Sequence, residues 1–72
     1  MKEKVAPRSM AAGRAVADVG FPAECALAAI IRHGDLLIPR PDTVFQAADE
    51  VLAVVHADAL TRFSGLLSAP AD

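Results

Sequence analysis

Two arginines, Arg32 and Arg40, flank an apolar run that contains Leu36, Ile38 and Pro39. A guanidinium presents its N–H donors in a planar fork that matches the oxygens of a phosphate or a carboxylate. The pair could therefore hold the phosphates of a nucleotide, with Ile30, Ile31, Ile38 and Pro39 as an apolar wall beside its base. The same residues also have an ordinary reading: ion pairs to Asp35, Asp42 or Glu50, and isoleucines buried in a core or in a seam between two copies. The other reactive types are sparse. Cys25, His33 and His56 are too few for a zinc site in one chain. Cys25 with either histidine could form a nucleophile and its base, but no oxyanion-stabilising pattern accompanies them, and no catalysis is expected. Asp35, Asp42, Asp49 and Glu50 offer oxygen ligands of the kind calcium takes. Their spacing is not that of a calcium loop, and loop acids ordinarily make turns; no metal is expected. Asp49 is expected to bond turn amides ahead of a strand starting at Val51. His33 reads as a turn residue, and His56 as the end of a strand or the cap of a last helix.

These residues need a scaffold, and 72 residues allow one domain, 1–72, with an ordered core over about 3–68. Cys25 is the lone cysteine, so no disulfide can form within the chain, and a reducing compartment suits it. The apolar fraction is 54%, above the usual range of about 45–50%. A domain this small hides aliphatic surface poorly, so part of it is expected to be covered by a second copy or another domain. The net charge of −2 and the lack of a basic block argue against nucleic-acid binding. No apolar run approaches the roughly 20 residues of a membrane span, and no signal peptide is read at the start.

The pattern of residues gives the elements. Residues 2–7 read as a short edge strand limited by Pro7. Ser9 can cap a helix of about two turns, with Ala12, Val16 and Val19 on one face and Gly20 as its stop. Residues 26–32 and 36–39 read as strands joined through Arg32-His33-Gly34-Asp35, a hairpin signal. Strict alternation would put Leu27, Ala29 and Ile31 on one face and Ala28, Ile30 and Arg32 on the other, both apolar enough to be covered. A short extended piece is expected at residues 43–45, and residues 51–55 are the clearest strand. A last helix over 58–67 would carry Leu60, Phe63 and Leu67 in one stripe, with Pro70 closing it. The order is β-α-β-β-β-α: an α+β domain, a small, mostly antiparallel sheet of about four strands with two helices.

Three segments then show a resemblance. Ser9-Met10-Ala11-Ala12-Gly13-Arg14-Ala15-Val16-Ala17-Asp18-Val19-Gly20-Phe21-Pro22 resembles the pattern S-x-L-x-G-K-x-L-x-E-L-x-L-P. Ala28-Ala29-Ile30-Ile31-Arg32-His33-Gly34-Asp35-Leu36-Leu37-Ile38-Pro39 resembles V-x-I-x-R-x-G-x-x-x-I-P, and Thr43-Val44-Phe45-Gln46-Ala47-Ala48-Asp49-Glu50-Val51-Leu52 resembles T-x-L-x-x-G-D-x-L. This is the pattern of the TrkA C-terminal (RCK-C) domain family, and it covers nearly the whole chain. Ala48 replaces the family glycine, which would be strained if that site needs φ > 0. Ala11 replaces a leucine.

The resemblance implies a non-catalytic regulatory domain of a potassium (cation) transport system. It implies a homodimer, attachment to a membrane cation transporter or channel, and a neighbouring Rossmann-type nucleotide-binding domain. It further implies a cytoplasmic location, at the inner face of the membrane through the transporter, and a cyclic dinucleotide or other small regulator bound at the dimer seam. No cofactor belongs to this chain, which has no G-x-G-x-x-G. Two alternatives stand beside it. One is a swapped-hairpin DNA-binding protein of the AbrB/antitoxin type, suggested by Gly34-Asp35-Leu36-Leu37-Ile38-Pro39 followed by Asp49. The other is a purely structural dimerisation module.

Overall fold

The structure, a computed structural model, describes residues 1–69. Pro70, expected to close the last helix, lies outside the described residues. In chain order the elements are β1 (Lys2–Lys4), α1 (Val16–Val19), β2 (Cys25–Arg32), β3 (Asp35–Leu37), β4 (Glu50–Val55) and α2 (Leu60–Leu67). A 3-10 turn at Ala57–Ala59 leads into α2. The four strands form one antiparallel sheet in the order β1-β4-β2-β3. This is the expected β-α-β-β-β-α arrangement of an α+β domain.

The hairpin between β2 and β3 forms where the glycine signal placed it. His33 and Gly34 have φ of 51° and 81°, and two successive positive values define the tight turn whose twist matches paired strands. Glycine adopts this freely, and histidine is among the few side chains enriched there. Pairing runs Arg32↔Asp35, Ile31↔Leu36 and Ile30↔Leu37, then stops. Ile38 and Pro39, expected in β3, lie outside it: proline has no N–H to donate, and β2 becomes irregular just beyond Ile30.

That irregularity corrects the expected faces of β2. Leu27 pairs with Ala53 and Ala29 with Leu52, so Ala28 is an extra residue, a β-bulge. Alternation slips by one across it. Cys25 and Leu27 pack on the core before the bulge, and Ile30 lies within the core after it. Leu27 and Ile31 therefore sit on opposite faces.

The first helix is shorter than its pattern suggests. Gly13 has φ +82°, which no right-handed helix accommodates. The amides that would close its first turns are used elsewhere: Ala11 N–H bonds to the Leu66 carbonyl (3.1 Å), Gly13 to Phe45 (2.9 Å) and Val16 to Thr43 (2.9 Å). Ser9 caps a turn instead, accepting from Ala12 N–H at 3.3 Å and donating to the Ala6 carbonyl at 2.7 Å. Only Val16–Val19 is helical, ended by Gly20 at φ 78°. The extended piece near residue 44 appears as one bridge, Ala15↔Val44.

One face of the sheet carries the core. Val5, Ile30, Phe45, Val51, Phe63 and Leu67 are wholly buried. Phe21 lies 5.8 Å from the rings of both Phe45 and Phe63, edge-on to the first. Phe63 and Leu67 supply the stripe of α2, but Leu60 stays partly exposed because Ala59, in the preceding turn, takes the inward position. The other face was expected to be covered and is left open by this chain: Leu36 is 61% and Val54 74% exposed. The cross-strand pairs Ala26↔Val54, Ala29↔Leu52 and Ile31↔Leu36 make that face largely aliphatic.

Candidate functional site

The hairpin end of the sheet brings together Arg32, the connection after β3 and the start of β4. Arg32 donates from Nε to Asp49 Oδ1 (2.9 Å) and from Nη2 to Asp49 Oδ2 (2.8 Å), a two-pronged ion pair. Its Nη2 also donates to the Val44 carbonyl at 2.9 Å. Asp49 is 1% exposed, and its Oδ2 accepts a further bond from Gln46 N–H at 2.9 Å. The aspartate thus bonds a turn amide, as its position suggested. The sequence reading offered Asp35, Asp42 or Glu50 as partners for Arg32; the structure selects Asp49, while Glu50 pairs with Lys2 at 2.9 Å.

Burial pushes the Asp49 carboxyl upward, but the Arg32 guanidinium, the Gln46 amide and the nearby His33 outweigh it and hold the carboxyl below its usual range. The hydrogen bond to Asp49 raises Arg32 in turn. Both groups stay charged at neutral pH, and the pair is satisfied on its buried side.

The turn that delivers Asp49 carries strain. Asp49 N–H bonds back to the Gln46 carbonyl at 3.1 Å, and Ala48, third of the four residues, has φ 74°. A left-handed residue at that position is the mark of a type II turn and favours glycine. Ala48 keeps the glycine geometry at a cost of about 1–2 kcal/mol. Two β-type bonds hold the turn to the chain after β1: Ala48 N–H to Val5 O and Val5 N–H to Asp49 O, each 2.8 Å.

The six residues proposed as a ligand-binding wall divide by face. Ile30 is in the core. Ile31 is on the open face, opposite Leu36. Ile38 is 66% exposed, and Pro39 is half-buried beside it. Arg40 is exposed, in a turn where its N–H donates to Thr43 Oγ1 and its carbonyl accepts from Thr43 N–H, both at 3.0 Å. Arg32 is spent on Asp49 and Val44 through Nε and Nη2, which leaves Nη1 without a hydrogen-bond partner among the described residues.

Cys25 and His56 lie at the far end of the sheet, away from His33 in the hairpin turn. Cys25 pairs with Val55, and His56 N–H bonds to the Glu24 carbonyl at 2.9 Å. Burial raises the Cys25 thiol above its ordinary value, the opposite of what an activated nucleophile needs. His56 Nδ1 accepts from Asp58 N–H at 3.1 Å and so caps the turn into α2. No group of three or more histidine, cysteine or acidic side chains among the described residues could hold a metal ion.

The described surface thus combines an open aliphatic sheet face, an exposed Ile38 beyond β3 and an arginine clamped by Asp49. Comparison with known proteins agrees with the fold. Residues 1–68 match the family model of the TrkA-C domain, and the chain belongs to that family. It is 37% identical over 62 residues to a Trk system potassium uptake protein TrkA homolog of Archaeoglobus fulgidus, an alignment spanning 86% of this chain and 14% of that protein. A solved structure described as an RCK domain with cda superposes at a TM-score of 0.76 with 13% identity, covering 93% of this chain and 97% of that one. That likeness establishes the shared fold.

Sequence reasoning missed the Arg32–Asp49 clamp. The two residues are 17 positions apart in the chain, and no local pattern links them. The available signal was Asp49 itself, a carboxylate between a turn and the apolar run of β4, where burial demands a charged partner.

Proposed function

We propose that this chain is a non-catalytic regulatory domain of a potassium (cation) uptake system, pairing with a second copy through its β2–β3 hairpin and the segment after it. The observation that carries this reading is the exposure of Leu36 and Ile38, 61% and 66%, on a short edge strand and its extension. Large aliphatic side chains grouped in this way mark interaction surfaces. In the seam, Ile31, Ile38 and Pro39 supply an apolar wall for a base. Arg40 and the unused Nη1 of Arg32 supply donors for phosphate, with Asp49 fixing the Arg32 fork and Ile30 packing behind it. A small nucleotide, with cyclic di-adenosine monophosphate as the first candidate, would act by favouring one geometry of the pair. Its partners would be a Rossmann-type nucleotide-binding domain and a membrane transporter or channel, at the cytoplasmic face. No helix among the described residues is long and apolar enough to cross a membrane.

The test is sedimentation together with thermal melting, with and without cyclic dinucleotides and adenine nucleotides. The wild type is expected to self-associate, and Leu36→Asp to shift it toward monomer. A nucleotide at 100 times its dissociation constant adds about 2.7 kcal/mol, and Arg40→Ala should reduce that gain. A monomer at all concentrations refutes the pairing. A stable dimer indifferent to every nucleotide supports the purely structural module instead. Family membership takes the place of the swapped-hairpin DNA-binding reading.

A further inference from the structure

The two edges of the sheet are built differently. β1 carries Lys2 and Lys4, and lysine on an edge strand discourages pairing with another chain. β3, at the other edge, has no basic residue. The two-residue turn closes on Arg32↔Asp35, and the pair flanking such a turn exchanges its backbone bonds. The next pair, Ile31↔Leu36, is then of the non-bonded kind, and the N–H and C=O of Leu36 point outward from the sheet. Past β3, Ile38 precedes Pro39 and Arg40 precedes Pro41. A residue before proline is held extended, so the edge continues as a stiff segment that loses little freedom on docking.

Charge along this edge is antisymmetric. Asp35 opens it and Arg40 closes it, with Leu36, Leu37, Ile38 and Pro39 between them. Both charged residues are exposed, and neither forms an ion pair among the described residues, although Asp42 lies two positions from Arg40. Arg32, across the hairpin from Asp35, is taken by Asp49. A parallel alignment of two copies would set Asp35 against Asp35 and Arg40 against Arg40. An antiparallel alignment sets each Asp35 beside the Arg40 of the other copy and lays Leu36 of one along Ile38 of the other.

We propose that a second copy of this chain pairs antiparallel along Asp35–Arg40, with the two-fold axis near Leu37 and an Asp35–Arg40 contact at each end of the seam. That the chain pairs here rests on the preceding reading; what is added is the orientation, the register and the two residues that select them. The apolar middle attracts but fits many registers, and the charges at its ends reject the wrong ones. In the nucleotide-free pair, Asp35 is the counter-ion of the same arginine that a phosphate would engage.

The experiment is sedimentation of the whole chain without nucleotide at about 50 mM salt, where surface charges are weakly screened. Arg40→Glu and Asp35→Lys each put like charges at both ends of the seam, and each should raise the dissociation constant of the pair by about tenfold or more. Mixing the two variants makes both ends attractive again and should return association to near the wild-type level. The proposal is overturned, with pairing itself left standing, if the wild type pairs and Leu36→Asp breaks it while both charge exchanges are inert, or if the mixture fails to pair. A wild type that stays monomeric at all concentrations refutes the pairing and this seam together. Asp35→Lys also faces Arg32 across the hairpin, so thermal melts accompany each variant. Were it to unfold, Arg40→Glu set against Arg40→Lys decides: the first should lose the pairing and the second keep it, and equal behaviour of the two overturns the seam.

Discussion

At the hairpin end of the sheet, Asp49 is buried and its carboxylate holds three bonds to protein donors, two from Arg32 and one from Gln46. At the opposite end, Glu24 has no ion pair among the described residues, and the His56 side chain is 61% exposed with one hydrogen bond, within its own turn. Both ends carry residue types that could do chemistry. The difference is in what those residues are already doing. The Arg32–Asp49 pair at the hairpin end is engaged in holding a turn, a connection and a strand together, and desolvation makes that arrangement costly to disturb. Charges at the far end hold little in place: the His56 side chain bonds within its own turn, and Asp58 is almost fully exposed. A reactive residue type is informative only once its neighbours have been counted.

Breaking the clamped end should give the largest effect. Asp49→Ala leaves Arg32 without its carboxylate and Gln46 N–H without its acceptor, and loss of one partner of a buried pair costs about 3–5 kcal/mol. That is comparable to what a core of this size supplies, so chemical denaturation should find the variant largely unfolded, whereas Glu24→Ala at the open end should melt close to wild type.

Acid should separate the ends next. The Asp49 carboxyl is depressed in the folded chain, so its contribution is complete above the unfolded value of about 3.9 and is lost as pH falls through the lower folded value. The melting temperature should be flat between about pH 7 and 5 and drop below about pH 4. In Arg32→Lys, which keeps a cation beside Asp49 but loses the two-pronged contact, the Asp49 share of that drop should shrink. Glu50 is also lowered, by its hydrogen bond from Lys2, and Lys2→Ala isolates its share.

A third measurement sharpens the comparison by relieving strain at the clamped end. Ala48→Gly removes the left-handed penalty, partly offset by the greater freedom of glycine in the unfolded chain, for a net gain of about 0.5–1 kcal/mol in urea melts. The smallest effect belongs to the open end. His56→Ala deletes the bond to Asp58 N–H and should cost about 0.5 kcal/mol or less, near the lower limit reported by thermal melts of cap deletions.

The strands were legible because the glycine at position 34 and the β-rich run from Val51 are local signals. The bulge was not. Ala26, Ala28 and Ala29 are equally tolerable on either face, so the alternation of β2 had no residue to mark where it slipped. The first helix was overestimated for a similar reason: its apolar spacing fits 3.6 residues per turn, but Gly13 and the amides bonded to Phe45 and Thr43 commit the chain to another route. Of the candidate residues, Ile38 and Pro39 were expected in β3 and lie beyond it, because the pairing with β2 stops at Leu37. The placement of Arg32 depends on its ion pair to Asp49, 17 residues away, which no local pattern encodes.

The placement of β1 has a kinetic consequence. Its partner strand is distant in sequence, Lys2 facing Leu52 and Lys4 facing Glu50, whereas the β2–β3 turn needs only His33 and Gly34 to close. Hairpins of that kind form in about 1–10 μs, while closing a loop that spans most of the chain is slow because its entropy is spent before contacts repay it. β1 is therefore expected to join the sheet after the rate-limiting barrier, so substitutions in it should leave the folding rate nearly constant and speed unfolding.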